Sequence, residues 1–320
     1  MLEAAPAIAG LHHVTAISAD AARNKRFYTE VLGLRLVKNT VNQDDPTSRH
    51  LFYADAVGSP GTDLTFFVWD LPAERPGNHA VERTGFRVGS EEDLAWWEDR
   101  LRGHGIAARR TREPGDRPGL RFEDPEGQRL LLVVDDGPSA AQPWERSPVP
   151  AERQLRGLGP VSSALPEAEP TARFLVELLG FRPLGEGPDP EDGKARVLRL
   201  ACGPCGAGGE LQLRLRPGLP RARPGAGGVH HLAFQVADRA ALAAWVARLD
   251  AAGVRHSGEI DRFWFRSLYV REPGGVLLEL ATDGPGFAVD EPAERLGERL
   301  VLPPFLEPRR AAIEAGLPAL

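Results

Sequence analysis

Short runs of alternating large apolar and small or polar residues recur along the chain, each followed by a stretch with helical spacing. In His231-Leu232-Ala233-Phe234-Gln235-Val236, the large apolar residues Leu232, Phe234 and Val236 share one face, and His231, Ala233 and Gln235 share the other. That is the period-two pattern of a strand with one face on a core. A helical stretch, Leu242-Ala243-Ala244-Trp245, comes next, and the unit closes on Glu272-Pro273-Gly274-Gly275. The same succession occurs earlier: Thr84-Gly85-Phe86-Arg87-Val88, then Leu94-Ala95-Trp96-Trp97, then Asp124-Pro125-Glu126-Gly127.

A second kind of unit also repeats. Gly10-Leu11-His12-His13-Val14 has its counterpart in Gly157-Leu158-Gly159-Pro160-Val161. Helical segments follow, around Arg26-Phe27-Tyr28 and Arg173-Phe174-Leu175, and end at Leu32-Gly33 and Leu179-Gly180, where glycine marks a helix C-cap. The chain therefore consists of four modules in the order A, B, A′, B′, each a strand, a helix and about three further strands. The expected boundaries are an N-terminal pair of modules over 1–137, a Pro/Ser-rich linker over 138–153, a C-terminal pair over 154–286 and a tail over 287–320.

Bulk properties narrow the function. The 320 residues are 26% charged and 42% hydrophobic, as in ordinary globular proteins, and the net charge of −6 offers no basic footprint for nucleic acid. No apolar run is long enough to cross a membrane, and Met1–Gly10 lacks the layout of a signal peptide, so a cytoplasmic location is expected. Cys202-Gly203-Pro204-Cys205 has the spacing of a redox motif, but its flanks predict a strand running into a glycine-rich turn, where no helix can lower a thiol pKa.

The chemistry lies in two histidine doublets, His12-His13 and His230-His231, which hold half of the chain's eight histidines. Glu279 stands alone in the apolar run Val276-Leu277-Leu278-Glu279-Leu280. By strand parity His13, His231 and Glu279 all face away from the large apolar residues. The repeat aligns His13 with Pro160, His231 with Arg83 and Glu279 with Leu131. One metal is therefore expected, joining the first and last modules, and none between the middle two. Two imidazoles and a carboxylate suit Fe(II) best, with Mn(II) close behind and Zn(II) allowed by the ligand types.

These modules resemble the vicinal-oxygen-chelate superfamily, which includes glyoxalase I, fosfomycin-resistance proteins and extradiol dioxygenases. The resemblance covers the chain to about Gly286 and implies an α+β fold of four βαβββ modules, paired into two cup-shaped curved sheets. The doublets, the run from Asp261 to Phe287 and the tail Leu302-Pro303-Pro304-Phe305 are similar to the branch that cleaves hydroquinones. That likeness implies a metal-dependent dioxygenase acting on a small aromatic substrate and O2, forming a homo-oligomer (dimer or tetramer). It makes His13, His231 and Glu279 the ligands. His12 and His230 would support them, and Arg262 and Tyr269 would lie near the substrate. Trp264 stands where a tyrosine is common in that branch. The alternatives are a glyoxalase-type isomerase or lyase, and a protein that binds quinones or drugs without chemistry. The first would want a fourth ligand, whose place in module A falls near Phe66.

Overall fold

A computed structural model describes residues 6–135, 137–204 and 206–320. Module A comprises β1 (Leu11–Ser18), α1 (Ala21–Arg26), β2 (Arg35–Val41), β3 (Arg49–Ala54) and β4 (Asp63–Val68). Module B comprises β5 (Ala80–Val88), α2 (Glu91–Gly103), β6 (Ala108–Glu113), β7 (Arg117–Glu123) and β8 (Arg129–Val134). Module A′ has β9 (Leu158–Leu165), α3 (Glu169–Arg173), β10 (Arg182–Pro188), β11 (Arg196–Ala201) and β12 (Glu210–Leu215). Module B′ has β13 (Val229–Val236), α4 (Arg239–Ala251), β14 (His256–Asp261), β15 (Arg266–Arg271) and β16 (Leu277–Thr282). A short helix, α5 (Arg310–Gly316), lies in the tail.

The helices start and stop where their sequences dictate. Ser90 caps α2 by accepting from the Asp93 amide, and Asp238 caps α4 by accepting from the Ala241 amide. Leu94, Trp97 and Leu101 of α2, like Leu242, Trp245 and Leu249 of α4, are wholly buried at helical spacing. Helices α1 and α3 each continue into a π turn (Phe27–Val31 and Phe174–Leu178) and end at Gly33 and Gly180, whose φ of 71° and 75° favours glycine.

The strands form two eight-stranded sheets, ordered β14-β15-β16-β13-β1-β4-β3-β2 and β10-β11-β12-β9-β5-β8-β7-β6. Modules A and B′ thus share one sheet through β1 and β13, and modules B and A′ share the other through β5 and β9. The N-terminal and C-terminal halves describe chain order, while sheet pairing crosses between them. Segment 138–153 runs between the halves bonded to module A: Gln142 donates its amide to Asp55, and the Ser147 hydroxyl donates to the Gly33 carbonyl.

Leu232, Phe234, Leu278 and Leu280 pack under the helices in the main core, as alternation requires. The opposite, concave face of the first sheet carries a separate cluster that includes Phe52, Ala233, Trp264, Phe265 and Ala281. Phe287, Leu296 and Val301 of the tail close over it. Buried Lys38 fastens that closure, reaching Asp290 at 2.9 Å and Glu291 at 2.5 Å. Cys202 is buried at the end of β11, donating its amide to Gly209, with a 3-10 turn after it; Cys205 and residues 1–5 lie outside the described residues.

Candidate metal centre

His13 on β1 and His231 on β13 sit on neighbouring antiparallel strands, with His13 opposite Ala233 and Thr15 opposite His231. Strand β16 lies parallel to β13 and sets Glu279 beside Ala233. Period-two alternation sends all three side chains into the concave face, where they are at most 3% exposed. The two Nε2 atoms are 3.3 Å apart, and Glu279 Oε2 lies 3.3 Å from His13 Nε2 and 2.9 Å from His231 Nε2. An ion bound at about 2.1 Å spans such separations.

Hydrogen bonding supports the same reading. Glu279 Oε1 accepts from the Ser267 hydroxyl at 2.5 Å, whereas Oε2 is buried with no hydrogen-bond partner. Its imidazole neighbours stand within 3.3 Å, and one ligand atom from each of the three side chains lies within 4.8 Å of the others. Burial alone would raise the Glu279 pKa, but the two imidazoles hold it well below the carboxylate range. This donor set fits a divalent cation. Among the described residues it is the one group of three or more His, Cys, Asp or Glu whose ligand atoms converge in this way.

The doublets have a structural cause that alternation hides. Register slips between Leu11 and His13 on β1, and between the partners of Thr15 and Ala16 on β13, leaving His12 and His230 as bulged residues. The bulges turn both rings back toward the ligands. His12 Nδ1 lies 2.8 Å from His13 Nδ1, and His230 Nδ1 lies 2.8 Å from His231 Nδ1. Burial, then the neighbouring ligand ring, lowers each supporting histidine to about 3. A neutral ring can accept a hydrogen bond from the neighbouring Nδ1–H, which fixes that tautomer and leaves the neighbour's Nε2 lone pair for a metal.

Tyr269 on β15 pairs with Glu279, and its ring meets His231 edge-on at 5.7 Å. Burial, then the Glu279 charge, pushes its phenol up, so it stays protonated at neutral pH. Arg262 lies over the Tyr269 ring at 5.4 Å and pairs with both Asp44 oxygens at 3.0 and 2.8 Å. Burial would lower the Arg262 pKa, but Asp44 and the Tyr269 oxygen raise it. Trp264 is buried beside them and donates Nε1 to Asp290.

Sequence reasoning missed His50, Phe52, Phe67, Asn42, Gln43 and Asp44, which complete the walls and mouth. The signal for the first three was available in the alternation of β3 and β4; the loop residues carried none. The fourth-ligand position of module A also shifts by one. Thr65, not Phe66, stands opposite Thr15 as Glu279 stands opposite Ala233. Its hydroxyl bonds to Thr15 and His50, so the position offers no imidazole or carboxylate.

The second sheet folds an arginine network into the corresponding place. Arg214 is fully buried between Asp189 at 3.1 Å, Glu113 at 3.3 Å and Glu82 at 3.6 Å. Arg121 pairs with Glu113 at 2.6 Å, and Glu210 takes both Arg117 and Arg199.

The model of the Glyoxalase/Bleomycin resistance protein/Dioxygenase superfamily matches residues 10–132 and 157–280. The chain belongs to this superfamily. Over 312 residues it is 45% identical to "Putative ring-cleaving dioxygenase MhqA" of Bacillus subtilis (strain 168), covering 96% of this chain and 98% of that protein. It is 31% identical over 322 residues to the chlorohydroquinone/hydroquinone 1,2-dioxygenase of Sphingobium indicum, covering 96% and 95%. The crystal structure of a putative dioxygenase from Bacillus subtilis superposes with a TM-score of 0.90 at 34% identity, covering 99% and 98%. Glyoxalase I from Zea mays, at 15% identity, 86% and 92% coverage and a TM-score of 0.61, shares the superfamily fold.

Proposed function

We propose that this protein is a metal-dependent dioxygenase that cleaves a hydroquinone- or catechol-type ring with O2. The observation carrying the reading is the buried His13–His231–Glu279 face, whose converging donors leave one side of an ion free toward an aromatic-walled cavity. Full-length relatives named for ring cleavage support it. The resident ion is Fe(II), with Mn(II) the next best fit and Zn(II) an allowed replacement; such an ion supplies a Lewis acid and an electron path between ring and O2.

The chain's own groups have distinct tasks. His12 and His230 orient the ligand rings and keep their Nε2 atoms deprotonated. Tyr269, as a neutral phenol against His231, can donate a proton to an oxygen on the substrate. Arg262 offers a permanent cation to an anionic oxygen. Phe52, Phe67, Phe265 and Trp264 stack against a ring and exclude water. Thr65 at the fourth-ligand position argues against the glyoxalase-type isomerase, and an intact ligand set argues against a purely sequestering protein.

The decisive experiment is anaerobic reconstitution with Fe(II), followed by a panel of hydroquinones and catechols with O2 uptake and product absorbance as readouts. Uptake stoichiometric with ring loss is expected. No O2 consumption with any member, in a protein that has bound iron, refutes the proposal.

A further inference from the structure

The cavity beside the His13 and His231 rings has a volume of only about 40 Å³, well below the roughly 150 Å³ of an apolar cavity that takes up benzene. The cup is shut, and the residues that shut it are identifiable. Loop Asn42–Ser48, between β2 and β3, is braced internally: Asp44 donates its amide to the Asn42 side chain, and Ser48 donates to the Asp45 carbonyl. Among the described residues, three hydrogen bonds join this loop to the turn between β14 and β15. Gln43 Nε2 donates to the Arg262 carbonyl at 2.7 Å, and the Arg262 guanidinium donates to both oxygens of Asp44. That turn is tight, with Phe263 at a φ of 69° and its amide donating to Asp261. The pair sits at the mouth itself, since the Asp44 side chain is 72% exposed and that of Arg262 only 16%.

We infer that Asp44, with Gln43, is a positioning residue that latches Arg262 across the mouth of the metal cup, and that a ring enters only when this grip is released. The inference rests on the function proposed above for the cup. Two surface segments joined by three polar bonds at the mouth separate at low cost. An incoming ring with an ionisable oxygen can take over the guanidinium that Asp44 gives up, because a carboxylate and a phenolate offer the same charge. Asp44 therefore holds the cation at the entrance in the absence of substrate and yields it when substrate arrives.

The test measures access to the ion separately from turnover. The full chain, loaded with Fe(II), is mixed anaerobically with 1,10-phenanthroline, a planar aromatic chelator, and the rate of the red complex is followed. Asp44→Ala raises that rate about fivefold at low salt, the scale of one partly exposed ion pair, and Asp44→Glu restores the wild-type rate. High salt raises the wild-type rate and leaves Asp44→Ala unchanged. Arg262→Ala combined with Asp44→Ala is no faster than either alone. In turnover, Asp44→Ala changes KM for a hydroquinone more than kcat. Equal extraction rates for wild type and Asp44→Ala at low salt overturn the latch. A fivefold effect without O2 uptake keeps the latch and removes the dioxygenase reading; O2 uptake with no effect does the reverse. A chain that takes up no ion overturns both.

Discussion

The two sheets are built on one plan yet put opposite chemistry at equivalent places. The strand registers superpose them position by position. His231, opposite Thr15, corresponds to Arg83, opposite Ser162; Glu279 corresponds to Leu131, and Tyr269 to Arg121. On the outer strands Phe52 corresponds to Arg199 and Phe67 to Arg214. Even the bulges correspond, with Glu82 where the first sheet has His230. In the first cup, aromatic rings surround three candidate ligands, and one Glu279 oxygen faces two imidazoles without a hydrogen bond. In the second, Arg83, Arg121 and Arg214 each stand within ion-pair distance of a carboxylate; Glu82 Oε2, Arg83 Nη1 and Arg214 Nε make no hydrogen bond, yet among the described residues no three ligand atoms converge there. Converging imidazole and carboxylate donors invite a cation, whereas arginines paired with carboxylates already carry the positive charge a cation would bring.

The most severe way to break this comparison is to give the first cup a residue of the second. Glu279→Leu copies Leu131; it should abolish stoichiometric metal uptake and lower turnover by roughly three orders of magnitude, the loss of a metal's charge stabilisation. Elemental analysis with O2 uptake checks it, and full uptake by this variant breaks the ligand assignment.

The converse experiment opens the second cup. Arg214→Met removes the buried guanidinium shared by Asp189 and Glu113, which keep Arg216 and Arg121 as partners, and should cost about 3 kcal/mol in denaturant unfolding, while folded protein still takes up one equivalent of metal. Acid sharpens this. Burial works against Glu113, Asp189 and Glu210, but guanidinium partners hold all of them below the usual carboxylate range. The unfolded chain therefore binds more protons in acid. The stability they contribute is complete above about pH 4.3 and lost as pH falls toward the folded-state values. Unfolding measured across that range should show a shallower acid limb in Arg214→Met than in wild type.

The smallest effect belongs to a residue touching the site without holding the ion. Tyr269→Phe should keep metal uptake and lower kcat about a hundredfold, the share of one proton donor; an unchanged kcat removes Tyr269 from proton transfer. This loss would separate the catalytic face of the first cup from Arg121, its purely structural counterpart.

Much of the first cup was legible because its signals are local and periodic. Parity alone put His13, His231 and Glu279 on one face, and their absence from modules B and A′ told which modules meet. The supporting role of His12 and His230 was read from likeness, since alternation points them the wrong way; two bulges reverse them. Thr65 refines the expected position near Phe66 by one residue, and only the strand pairing fixes it, since neither the β1–β4 nor the β13–β16 register slips. The second cup was expected to lack a metal, but nothing in the spacing of Arg121, Arg199 and Arg214 revealed that they interlock with Glu113, Asp189 and Glu210. Asp44 was invisible for a simpler reason: a lone carboxylate in a polar loop has no periodicity.

The modular plan, the facing of the candidate ligands and the family are written into side-chain alternation, glycine-capped turns and chemically specific residues at repeated positions. The setting of Glu279 Oε2 between two imidazoles, the filling of the second cup by arginines and the reach of Asp44 to Arg262 across the mouth come from the folded packing. Those depend on contacts between strands far apart in the chain, where a shift of one residue exchanges a buried partner for an empty one.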